Sequence, residues 1–187
     1  MFRLRIITGA LLALTVVAGG GVWAAENLKS GPQVGSSVPG PFHPLHITGE
    51  NAGQKLCLYC KNGANPVVMI FAREVSPALT TLIKKIDAAT LDHQGDHMGS
   101  FVVFLKFKEE MAKQAKQLAD KEGIQYTVLS LDTAAGPQAY RVSKNADVTV
   151  VLYTNRTVKA NYAFRKGELT EKDVTQIVAD LSKIVPN

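Results

Sequence analysis

Val67-Val68-Met69-Ile70-Phe71-Ala72 is an unbroken apolar run with three β-branched residues, and Ser76-Pro77 follows it closely. A continuous run of that length predicts a central strand buried on both faces. Ser76 suits a helix N-cap and Pro77 the first helical position. Leu79, Leu82, Ile83 and Ile86 then recur at helical spacing. Strand followed at once by helix is the unit of a crossover fold.

The alternation continues downstream. Phe101 to Lys106 predicts a second strand, and Glu109 to Glu122 a lysine-rich helix with Met111, Ala115, Leu118 and Ala119 inward. Gly123 stops that helix. Tyr126 to Leu131 predicts a third strand, and Thr133 to Val142 a short helix loosened by Gly136-Pro137. Val148 to Tyr153 and Thr157 to Phe164 predict two strands joined at Asn155-Arg156 as a hairpin. Thr170 caps a last helix whose inner face carries Val174, Ile177, Val178, Leu181, Ile184 and Val185. The expected class is α/β, a central mixed β-sheet flanked by helices.

Upstream of the decisive strand the composition changes. Arg3 and Arg5 precede the apolar run Ile6 to Val17, and Val22-Trp23-Ala24 offers small residues for signal-peptidase cleavage before Ala25. The pattern predicts a signal peptide over residues 1–24 and an exported, periplasmic or extracellular product with no membrane attachment after cleavage. Residues 25–49 read as a flexible lead-in and N-terminal extension, flexible above all over Leu28 to Ser37, with a short extended piece near Leu45 to Gly49. Residues 50–187 read as one domain, with a polar loop over 50–66.

The formal charge is +5. It falls to about +3 without the two signal arginines. No basic stripe is interleaved with aromatics, so a nucleic-acid partner is not expected. No phosphate loop is present and no cofactor is expected.

The element order, ending in a hairpin and a C-terminal helix, resembles the thioredoxin fold over residues 66–185. Val34-Gly35-x-x-Val38-Pro39-x-Pro41-Phe42 resembles the N-terminal extension of peroxiredoxin-like and exported TlpA-like thioredoxins. Laid on this chain, the family's Phe-Trp-Ala-x-Trp-Cys-Gly-Pro-Cys starts at Ile70-Phe71-Ala72. Its Cys-Gly-Pro-Cys falls on Val75-Ser76-Pro77-Ala78, so only the proline survives. The family's proline at the start of the fourth strand falls on Val148, after Asp147. A peroxidatic cysteine at the start of the first helix, which peroxiredoxins need, is also missing. The resemblance therefore implies a fold and brings no catalytic residue with it.

The two cysteines, Cys57 and Cys60, lie before the decisive strand as Cys57-Leu58-Tyr59-Cys60. Three readings stand. In the first, the pair is catalytic in an atypical thiol–disulfide oxidoreductase whose partners are thiol- or disulfide-containing exported proteins. Lys55 and Lys61 flank it and favour a thiolate, while Lys61-Asn62-Gly63 reads as a turn rather than a helix start. In the second, the chain is a non-catalytic binding module with a structural disulfide, whose small ring adds little stability. In the third, His43 and His46 join the pair as a copper or zinc site, although the spacing matches no zinc finger; His93 and His97 are explained by a solvated loop. The position of the pair relative to Ser76 and Val148 separates these readings.

Overall fold

The structure, a computed structural model, describes residues 28–186. The expected signal peptide lies outside them. Within the described residues, six strands form one sheet in the order β1-β4-β3-β2-β5-β6. They are β1 (Leu45–His46), β2 (Val67–Ala72), β3 (Gly99–Phe104), β4 (Thr127–Leu131), β5 (Val148–Thr154) and β6 (Thr157–Phe164). β2, β3 and β4 are parallel neighbours; β5, β6 and β1 add antiparallel pairings. The α-helices among the described residues are α1 (Leu58–Asn62), α2 (Pro77–Asp92), α3 (Glu109–Glu122) and α4 (Glu171–Ala179).

β2 is buried throughout and sends alternate residues to two cores. Val68, Ile70 and Ala72 meet the inner faces of α2, α3 and α4. Val67, Met69 and Phe71 meet a second cluster that contains Phe42, Leu58, Tyr140 and Tyr153. The three long helices thus share one face. The opposite face is covered by the N-terminal extension, α1 and the turn at Gln138–Tyr140.

Local chemistry explains the boundaries. Ser76 Oγ accepts from Leu79 N–H at 3.3 Å, and Pro77 opens α2. Thr170 and Asp173 form a capping box on α4. Gly123 ends α3 in the left-handed region, at φ 69°. Asn155 and Arg156 both have positive φ, 50° and 58°, as a two-residue hairpin turn of the I′ type requires.

Three expectations are corrected. The helix expected over Thr133 to Val142 is reduced to a 3-10 turn at Gln138–Tyr140, because Gly136 sits at φ 67° and Pro137 follows it. The loop expected over residues 50–66 contains α1. The stretch expected to be a flexible lead-in is docked: Ser30 Oγ lies 2.7 Å from Thr149 Oγ1, and Asn161 donates to the Ser30 and Pro32 carbonyls, each at 2.9 Å. Backbone bonds then tie Gly35 and Ser36 to Val158, and Val38 to Arg156. Phe42 continues into the second core, its ring 4.9 Å from that of Tyr140.

Among the described residues, Tyr153 Oη is the one buried side-chain polar atom without a hydrogen-bond partner. Burying an unpaired hydroxyl costs free energy that phenylalanine does not incur. Tyr153→Phe is therefore expected to stabilise the protein by about 1 kcal/mol, read as a higher midpoint in urea unfolding.

Candidate functional site: the Cys57–Cys60 disulfide

Cys57 and Cys60 are joined by a disulfide, with Cα atoms 5.2 Å apart. Cys57 is the N-cap of α1, and its Sγ accepts from the Cys60 N–H at 3.0 Å. Lys61-Asn62-Gly63, read as a turn rather than a helix start, is the end of a short helix that begins at the cysteine pair itself. The helix is one turn and a little more, closed by Gly63 N–H donating to Tyr59 O. Its single buried residue is Leu58, 2% exposed and part of the second core. Cys57 is half-buried and Cys60 is exposed.

Two attachments fix where the pair sits. At its front, Leu45 bridges to Lys55, and Gln54 and Gly53 exchange backbone bonds with His46. The His46 ring adds a bond to the Leu56 carbonyl at 3.3 Å. At its back, Asn62 packs against Gly99 at the start of β3, and Asn155 N–H donates to Ala64 O at 2.8 Å. Lys55 lies over the Phe107 ring, 5.3 Å from its centre, beyond the other end of β3. The segment therefore crosses the second face of the sheet from one end of β3 to the other.

A cleft of about 410 Å³ opens beside the disulfide, lined by His43, His46, Leu56, Cys57, Cys60 and Lys61 among others. Burial lowers the His46 pKa, and the Lys61 charge lowers it further against the opposing bond to Leu56. Arg156 lies over the Tyr59 ring of α1, 5.0 Å from its centre. The two histidines do come beside the cysteines. Among the described residues, however, no three His, Cys, Asp or Glu side chains are grouped to hold a metal ion. His93 instead pairs with Asp96 at 3.0 Å in the turn after α2.

The position where the resemblance would place a redox motif lies elsewhere. Val75, Ser76, Pro77 and Ala78 stand at the start of α2, and Val148 pairs with Ala72 in the neighbouring strand. Glu74, Asp147 and Lys166 rim a cleft there of about 380 Å³. α1 packs on the opposite face of the sheet from α2. The disulfide has not moved back into that position by another route.

Asp147 in this second cleft has its pKa raised, chiefly by burial and then by the Glu74 charge, against Lys166 and Arg73. A carboxyl with a raised folded pKa weakens the fold once it ionises. The penalty is complete above the folded value and absent below the unfolded value of about 3.9. Asp147→Asn is therefore expected to raise the unfolding midpoint at pH 7. The gain over wild type should vanish by about pH 3.

No protein-family model matches the chain, and no curated protein sequence matches it. Solved structures do. A candidate protein disulfide isomerase from Bacteroides thetaiotaomicron aligns with TM-score 0.64 at 14% identity, over 86% of this chain and 96% of that one. A Plasmodium vivax 2-Cys peroxiredoxin aligns with TM-score 0.56 at 17% identity, over 81% and 83%. A secreted Mycobacterium tuberculosis disulfide oxidoreductase, homologous to E. coli DsbE, aligns with TM-score 0.54 at 12% identity, over 74% and 94%. These identities speak for the fold. With its mixed sheet, its crossover order and these neighbours, the chain has the thioredoxin-like fold, its cysteine pair displaced to the segment before β2.

Proposed function

We propose that the protein is an exported thiol–disulfide exchange protein whose working groups are Cys57 and Cys60. The observation that carries the reading is a disulfide with one exposed cysteine, opening on a cleft with Lys61 on its wall. An accessible disulfide in a small ring constrains the unfolded chain little, so its contribution to stability is a weak reason for its presence. Accessibility and neighbouring positive charge favour exchange with a partner thiolate. Arg3, Arg5 and the apolar run behind them support export, to a compartment where such a pair is kept oxidised unless a partner reduces it.

A second reading, a binding module with a structural disulfide, is favoured by one observation: the pair lies across the sheet from the start of α2. Turnover separates the two. The purified protein is expected to speed oxidation of a dithiol peptide in a glutathione buffer, and Cys57→Ser and Cys60→Ser should each return the rate to the uncatalysed one. An unchanged rate in both variants assigns the disulfide to structure.

A further inference from the structure

The two sulfurs are not equivalent, and we infer that a partner thiolate attacks Cys60 Sγ and expels Cys57 as the leaving thiolate. The inference rests on the exchange reading above and assigns the roles within it. Cys60 is exposed, whereas Cys57 is half-buried between a carbonyl held by the His46 ring and the core residue Leu58. An incoming thiolate must approach the attacked sulfur along the S–S bond, so access to that sulfur selects the site. Lys61, next in sequence to Cys60, is exposed on the same cleft and attracts an anionic nucleophile.

The leaving group is chosen by a separate feature. Cys57 Sγ accepts the Cys60 N–H at 3.0 Å. A hydrogen bond to a sulfur is stronger when the sulfur carries the negative charge, and a stabilised thiolate leaves faster. Access and leaving ability therefore select the same direction of attack.

The step balances as follows. A partner thiolate forms a new S–S bond to Cys60 as the Cys57–Cys60 bond breaks, and the electron pair of that bond stays on Cys57 as thiolate. If the partner carries a second thiol, its thiolate attacks the partner's own sulfur in the mixed disulfide and releases Cys60 as thiolate. The partner dithiol is oxidised by two electrons to a disulfide. Cys57 and Cys60 are reduced to the dithiol, taking up the two protons the partner loses.

The test uses the oxidised wild-type chain, so no variant has to fold. It is mixed with reduced glutathione in the presence of iodoacetamide, quenched in acid, and mapped by peptide mass spectrometry. The expected product carries glutathione on Cys60 and the alkyl group on Cys57, in about tenfold excess over the reverse pattern. Equal amounts, or glutathione mainly on Cys57, overturn the assignment of roles while leaving exchange itself standing. No adduct at either cysteine overturns the exchange reading and this inference with it.

Discussion

Asp87→Ala is expected to lower the unfolding free energy by about 3 kcal/mol. Asp87 sits on α2 and is 7% exposed. Its carboxyl accepts three backbone N–H groups at the entry to β4: Gln125 at 3.2 Å, Tyr126 at 2.8 Å and Thr127 at 2.6 Å. Just beyond, Thr90, Ser100 and Thr127 join their hydroxyls in a buried chain. Truncation strands three donors at once, and a buried donor without an acceptor costs about 1–3 kcal/mol. Water reaches the exposed Gln125 and Tyr126 and offsets part of the sum. Asp87→Asn keeps one acceptor oxygen and should lose less. Urea unfolding of the three proteins measures the series; a loss below about 1 kcal/mol in Asp87→Ala contradicts it.

Leu58→Ala carries the second large effect, and it bears directly on the cysteines. Leu58 is the one fully buried side chain of α1, and it joins Val67, Met69, Phe71 and Phe101 in the core. Leucine-to-alanine changes at such sites cost about 2–5 kcal/mol. A helix of five residues has little stability of its own, so its structure depends on that anchor. The loss should appear as local opening as well as a lower global midpoint. Amide exchange at Lys61 and Gly63, whose N–H groups close α1, should accelerate, and the disulfide should react faster with small thiols. Unchanged exchange at those amides would mean that α1 is held by something other than Leu58.

The dependence on Leu58 also explains why α1 was not legible in the sequence. The elements that were legible announce themselves over short range. β2 is one apolar run, α2 carries Ser76-Pro77, α3 runs from paired glutamates to Gly123, and the hairpin turns on Asn155-Arg156. α1 has no apolar period, and its N-cap is a cysteine sulfur rather than Ser, Thr, Asp or Asn. The docking of residues 30–42 was hidden for a related reason. Its bonds to Thr149, Val158 and Asn161 span more than a hundred residues, and no local pattern encodes them.

The candidate site was legible in its parts. The spacing of Cys57 and Cys60 suffices to allow a disulfide, and the loss of both cysteines at Val75 and Ala78 follows from alignment with β2 and α2. The face of the sheet that carries the pair was not legible. It is decided by where Leu58 is buried and by the bonds of His46 to residues 53, 54 and 56.

The central claim is that the Cys57–Cys60 disulfide exists to exchange. Its most direct measurement is the reduction potential of the pair, obtained by equilibrating the protein with graded ratios of reduced and oxidised glutathione and counting free thiols. The account predicts a transition within the glutathione range, above about −270 mV. A pair that stays fully oxidised in excess reduced glutathione, with a potential below about −300 mV, would contradict it.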